Sequence, residues 1–510
     1  MRLSLSKFSL KRNKEKPEYF ITRFVLLRAL GFVYFFAFLS LATQVIPLIG
    51  ENGLLPAKTF LNTFHFDNKF DAFMNLPTIF WMNSSDNFLL FLAWGDIILS
   101  LIVLIGFANV PLMFILWLIY LSFVHIGQLW YSYGWEIQLI ETGFLAIFLC
   151  PLIDMRPFPK TAPPVPVIWL FRWLAFRIHL GAGLIKIRGD SCWRDLTCLY
   201  YHYETQPIPN PLSPYFHFMP KWFHKLGVLW NHFVELIVPF FVFYPRIARY
   251  IAGILLISFQ VILILSGNLS FLNWLTILPA IACFDDNFFR KIMPKWITSR
   301  AEHAAKNKRV YKPQKIIAWI LVIFVAWLSI PVVQNLLSSR QYMNTSFNRW
   351  DLVNTYGAFG AVGKQRYELI LEGTEEEVIT PQTKWKEYEF KAKPGNTYRK
   401  LPIVAPYQPR IDWQIWFAAM QRPEQNPWLI HLIWKLLHND KGAISLIAEN
   451  PFPDNPPKYI RVEFYQYSFA PIGNKEEAAW NRKYIGQWLP PLSTSTPGLK
   501  EYIKAYGWEN

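Results

Sequence analysis

The first two thirds of the chain alternate long apolar runs with short polar connectors. Runs at residues 24–49, 88–107, 110–130, 137–152, 167–185, 228–243, 247–265, 269–283 and 316–333 approach the roughly 20 apolar residues a helix needs to cross a bilayer. Several hold only 15 to 17 residues, which suits re-entrant or interfacial segments as well as spans. The Pro-rich connector 151–166 breaks helix continuity. From residue 340 the texture changes. Residues 367–371 and 459–467 alternate apolar and polar positions and predict strands, with Gly357, Gly360, Gly363, Pro394 and Gly395 at turns. Residues 411–420 and 428–437 predict helices. The end after Ala479, with Pro490, Pro491 and Pro497, reads as peripheral. The expected fold class is a polytopic α-helical membrane protein with a strand-rich, β-sandwich-like extracytoplasmic C-terminal domain.

Composition excludes an ordinary soluble enzyme. Hydrophobic residues are 53% and charged residues only 17% of the chain, against about 25% charged in globular domains. The 23 Trp and 24 Tyr suit a protein with many membrane–water interfaces. The net charge of +16 is clustered beside apolar runs, so it reads as a topology signal and not as a nucleic-acid surface. Residues 1–23 carry seven Lys and Arg, and residues 285–315 carry nine against three acidic residues. Both are expected in the cytoplasm, and the eight runs between them agree. The organisation that follows is a basic tail (1–23), a multi-span membrane domain (24–284) with an extracytoplasmic loop (186–227), a basic linker (285–315), a last span (316–334) and an extracytoplasmic domain (340–510). The tail has no apolar run ending at a cleavage site and reads as retained.

The chemistry concentrates in residues 186–220. Lys186, Arg188, Asp190, Arg194, Asp195, His202 and Glu204 fall within nineteen residues, with Cys192 and Cys198 among them. Opposite charges at such short spacing predict local ion pairs holding a folded loop. The two cysteines read as a structural disulfide, as buried free thiols or as a redox pair. Their spacing is not C-x-x-C, and Cys150 and Cys283 lie in apolar runs as core residues. His232 and Glu235 share a helix face at the start of an apolar run, where ionisable groups are rare and often functional. His202, Glu204, His232 and Glu235 are therefore the candidates if the protein is an enzyme; interior hydrogen bonding is the plainer role. His217 and His224 are spare imidazoles, but no H-E-x-x-H or C-x-x-C framework is present, so no metal is expected. No phosphate loop, dinucleotide fingerprint or nucleophile elbow is present either, so no cofactor is expected.

Several strings resemble the lipase maturation factor family. They include Gly189-Asp190, Cys192-Trp193-Arg194-Asp195-Leu196-Thr197-Cys198, His202-Tyr203-Glu204-Thr205-Gln206-Pro207 and Asn231-His232-Phe233-x-Glu235. Arg28-Ala29-Leu30-Gly31, Asn354-Thr355-Tyr356-Gly357-Ala358-Phe359-Gly360 and Ala405-Pro406-Tyr407-Gln408-Pro409-Arg410 extend the match along the chain. The resemblance implies a multi-pass protein of the endoplasmic reticulum membrane with a lumenal C-terminal domain, or of the inner membrane in bacterial members. It implies help in the folding, assembly or maturation of secreted proteins such as dimeric lipases. Secreted or lumenal clients and membrane lipids are the expected partners, with Trp350, Trp385, Trp413 and Trp416 as candidate client-docking rings. The membrane part is also distantly similar to the vitamin K-dependent carboxylase group, from which no catalytic residue carries over. A membrane-embedded modification or thiol-redox enzyme is the alternative.

Overall fold

The computed structural model describes residues 17–508; residues 1–16 of the expected basic tail lie outside them. In the membrane region the helices are α1 (Phe20–Ala42), α2 (Asp86–Ile105), α3 (Val110–Ile126), α4 (Gly134–Leu149) and α5 (Val165–Arg188). The short α6 (Leu199–Thr205) follows, then α7 (Lys221–His232), which continues through a π turn (Phe233–Ile237) and a 3-10 turn (Val238–Phe243). Next come α8 (Arg246–Ser266), α9 (Leu272–Ile281), α10 (Lys295–Lys306) and α11 (Lys312–Leu337).

All nine predicted runs contain helix, but among the described residues six elements have spanning length: α1, α2, α5, the continuous stretch Lys221–Phe243, α8 and α11. At about 1.5 Å per residue, the ten-residue α9 covers roughly half of a 30 Å hydrocarbon core. The run 24–49 is also split. α1 ends at Ala42, and the backbone turns at Gln44 before a short helix over Val45–Ile49. Pro47 explains the break, since it has no N–H for the Thr43 carbonyl and its ring crowds that group; the Gln44 side chain at the turn donates to the Gln408 carbonyl and accepts from the Arg410 amide, at 2.8 and 2.9 Å. α1 meets α2 at Gly31, where a Cβ would fall 2.6 Å from the Leu104 nitrogen.

One end of the helix assembly is tied together by the connector and the linker. Asp286 caps α1, accepting from the Phe20 and Ile21 amides at 3.0 and 2.8 Å. Lys308 pairs with Glu18 at 2.9 Å, and the Arg309 amide donates to the Lys160 carbonyl.

The C-terminal part holds β1 (Arg366–Thr374), β2 (Lys386–Glu387), β3 (Glu389–Phe390), α12 (Arg410–Ala418), α13 (Pro427–Leu437), β4 (Ile447–Glu449), β5 (Tyr459–Phe469) and β6 (Trp480–Leu492). An antiparallel sheet runs β2-β1-β5-β6, and β3 pairs with β4. Two expectations change here. In place of a second sheet face, β1 and β5 pack against α12 and α13, because the apolar residues of those helices bury themselves on the sheet. The end after Ala479 is not peripheral: thirteen residues of it form β6. Pro490 and Pro491 are compatible with a strand there because β6 lies at the sheet edge and its register with β5 slips between Leu489 and Leu492, so neither missing N–H breaks a ladder bond. A continuous apolar core runs through both parts of the molecule.

Candidate functional site

The seam between the membrane region and the C-terminal domain is built from buried charges. Arg410, at the start of α12, donates to the Glu136 carboxylate at 2.9 Å and to the Trp130 carbonyl at 2.6 Å, with its guanidinium 3.5 Å above the Tyr131 ring. Tyr120 also donates to Glu136. Arg177 of α5 pairs with Glu141 of α4 and donates to the Asn354 carbonyl at 2.8 Å. The Asn354 amide and the Tyr356 hydroxyl donate back to Glu141 at 3.0 and 2.7 Å. Arg366 donates to the carbonyls of Glu204, Gln206 and Pro207, and pairs with Glu368, which Lys393 also meets at 3.0 Å. Breaking one partner of such a pair leaves a buried charge, a loss of about 3–5 kcal/mol.

Beneath this seam lies a cavity of about 920 Å³. Its walls come from α4, α5, α6, α7, α8 and α9, and residues 356–361 and α12 cover it. Lys186, in the last turn of α5, reaches both carboxylate oxygens of Glu235 at 2.6 Å and the Asn231 oxygen at 3.1 Å. Asn231 donates to Glu235 at 3.0 Å. Pro239 has no N–H to offer the Glu235 carbonyl four residues back, and the helix opens into a π turn there. Two turns deeper on α5, His179 Nδ1–H donates to the Ala175 carbonyl at 2.8 Å. Gln260 accepts from the Asn273 amide at 2.9 Å and turns its own amide to His179 Nε2 at 3.4 Å. Gln138 donates to Thr276 at 3.2 Å on the same wall.

The predicted candidates separate on this frame. His202 and Glu235 line the cavity. Burial pushes the His202 imidazole down to about 4, with the Lys186 charge adding to the effect, and the ring packs edge-on to Phe359 at 4.7 Å. Glu204 points elsewhere, accepting from the Phe469 amide at 2.9 Å and lying 3.6 Å from His217; burial raises its pKa against the Phe469 hydrogen bond and the Arg366 charge. His232 Nε2 meets the Trp193 carbonyl at 3.0 Å. The four enzyme candidates therefore do not converge on one reacting point.

The expected local ion pairs are corrected too. Among the described residues, Lys186, Arg188, Asp190, Arg194 and Asp195 form no ion pair with one another. Lys186 crosses to Glu235 because α5 runs on to Arg188 and projects it there. Arg188 donates to Gln341 at 2.7 Å, Arg194 to the Ile187 carbonyl at 2.6 Å, and Asp190 accepts from the Cys192 amide; Asp195 is exposed. The segment is fastened by a Cys192–Cys198 disulfide with both residues buried. The Asp190 amide donates to the Gly360 carbonyl, an approach so close that a Cβ on Gly189 would fall 2.2 Å from that oxygen. The docking rings are mostly occupied. Trp413 is sealed against Tyr133 and Trp135, which corrects its expected role as an open docking ring. Trp350 stacks on Trp117, Arg461 covers Trp385 at 4.1 Å, and Trp416 faces the cavity while donating to the Thr205 carbonyl.

Sequence reasoning passed over His179, Gln260, Asn273, Arg177, Glu136 and Glu141. The available signal was a lone polar residue inside an apolar run.

Comparison with known proteins covers both parts of the chain. Residues 21–291 match a family model described as the lipase maturation factor transmembrane domain, and residues 352–490 match the lipase maturation factor C-terminal domain. Lipase maturation factor 1 of Homo sapiens is 48% identical over 96% of this chain and 90% of its own length, and the Mus musculus protein of that name is 48% identical over the same shares. Lipase maturation factor 2 of Xenopus laevis is 27% identical over 96% of this chain and 85% of its own. No solved structure matches. With both parts matched and nearly half of all positions shared over almost the whole chain, the protein belongs to the lipase maturation factor family.

Proposed function

We propose that this protein is a maturation factor that holds partly folded secreted proteins, dimeric lipases among them, beside the endoplasmic reticulum membrane until they assemble. The observation that carries the reading is the 48% identity to Lipase maturation factor 1 over 96% of the chain, membrane region and C-terminal domain alike. The C-terminal domain faces the lumen in this reading. Its support is the shared end of the basic linker, the connector and the start of α1, since basic segments stay cytoplasmic. The client meets exposed apolar side chains of the C-terminal domain such as Val378, Tyr398 and Ile403, in place of the sealed Trp413. Binding that favours the assembled client draws it away from aggregates. A thiol-redox mechanism fits poorly, because both sulfurs of the disulfide belong to buried residues.

The test is co-expression with a dimeric lipase in cells lacking their own maturation factor, reading lipase activity per unit of lipase protein. A rise over empty vector supports the proposal. No rise, with this chain present at normal level in the membrane, overturns it.

A further inference from the structure

The cavity beneath the seam asks for an occupant. Its 920 Å³ lies in the range of ligand sites, about 300–1,000 Å³. Most of its lining is apolar or aromatic, yet two polar groups sit well inside it: Lys186–Asn231–Glu235 near the end of α5 and His179–Gln260–Asn273 deeper down. All six residues are buried. Polar side chains inside a spanning assembly are costly and are retained where they meet each other or a ligand.

The charge of the lining is balanced. Lys186 and Glu235 neutralise each other. The orientation of Gln260, fixed by Asn273, requires His179 Nε2 to be an acceptor, so that imidazole is neutral. The site therefore offers hydrogen bonds without net charge. One opening lies between α7 and α8, where Trp222, Leu226 and Ile262 line the cavity and are also exposed; Ser132, Met343 and Asn344 are exposed lining residues outside those helices. Along α8 the neighbouring Ile251, Ile254, Val261 and Leu265 are exposed as well, so the opening between α7 and α8 continues into the apolar outer surface of the spanning helices. A molecule entering there comes from the bilayer.

We propose that the cavity binds one membrane lipid with an uncharged, hydrogen-bonding head, of the monoacylglycerol kind. The head meets Gln260, Asn273 and His179, and the chain leads out past Trp222 and Leu226. Binding is tested apart from the maturation reading, since labelling and lipase rescue are read in separate assays; that the occupied cavity also serves maturation rests on that reading.

The test uses full-length protein in phosphatidylcholine nanodiscs with a monoacylglycerol probe carrying a diazirine in its chain, followed by peptide mapping. Labelling is expected on cavity peptides of α7 and α8. Excess unlabelled monoacylglycerol should reduce it at least fivefold, and phosphatidic acid should leave it unchanged. Ala182→Phe, which fills the cavity, should abolish it. Gln260→Leu, a milder change that covers the case of Ala182→Phe failing to fold, should reduce it severalfold in protein that is still folded, its melting temperature lowered only by the lost bonds to Asn273 and His179. Labelling spread equally over the exposed face of α11 around Trp319 and Ile323 would mean bulk lipid only and would overturn the proposal. So would competition by phosphatidic acid, or labelling that both folded variants retain.

Discussion

Arg177 and Lys186 lie nine residues apart on α5, and both are buried beside a glutamate. Their surroundings differ. Arg177 and Glu141 are packed by protein from α4, α5 and residues 354–356, and lock the C-terminal domain onto the membrane region. Lys186 and Glu235 form part of a cavity wall. Burial of a charge in a membrane protein therefore does not by itself mark a working site; what matters is whether the pair closes a seam or faces a void.

The largest separation of the two comes from charge removal. Arg410→Met strands Glu136 in the seam and is expected to cost about 3–5 kcal/mol in thermal or denaturant unfolding, with Arg410→Met/Glu136→Leu recovering most of it. Lys186→Met is expected to cost less, about 1–3 kcal/mol, because Glu235 borders the cavity, where water entering beside it solvates the carboxylate, whereas Glu136 is enclosed by protein. Equal losses would erase the distinction. Cys192→Ser/Cys198→Ser opens a short loop and is expected to lower stability by about 2 kcal/mol while leaving lipase rescue per folded molecule unchanged. Loss of rescue at equal folded level would restore a redox role.

A pH experiment probes the cavity side. The His202 imidazole is held down at about 4 in the folded protein, against about 6.5 unfolded. Above pH 6.5 both states are neutral and the group is silent. Between 6.5 and 4 the unfolded chain takes up the proton first, so acid destabilises the fold. His202→Phe should flatten the loss of melting temperature between pH 7 and pH 5; an unchanged slope would place the acid sensitivity elsewhere. The smallest effect on stability is expected from Ile403→Ser, within about 0.5 kcal/mol for an exposed side chain. It should nevertheless lower lipase recovery if the client docks there.

Much of the fold was legible because apolar runs of spanning length and strand alternation are local signals. What escaped depended on tertiary partners. The break before Val45 had a local sign in Pro47, but the bonds between the Gln44 side-chain amide and Gln408 and Arg410, more than 360 residues away, had none. β6 was hidden by Pro490 and Pro491, which an edge strand with an irregular register accommodates. In the site, the cluster 186–204 was visible as charge density, but the partner of Lys186 was not, since Glu235 lies 49 residues further on, in the π turn Phe233–Ile237. His179, Gln260 and Asn273 are single polar letters in apolar text, and their meeting is a fact of packing between α5, α8 and α9.

The most direct measurement is lipase activity per unit of lipase protein in cells lacking their own maturation factor, normalised to the folded amount of this chain, for wild type, Arg410→Met and Ala182→Phe. The expected result is rescue by wild type, the same rescue per folded molecule from a scarcer Arg410→Met, and loss of rescue by well-folded Ala182→Phe. Full rescue by Ala182→Phe would contradict a working role for the cavity, and no rescue by wild type would contradict the maturation role itself.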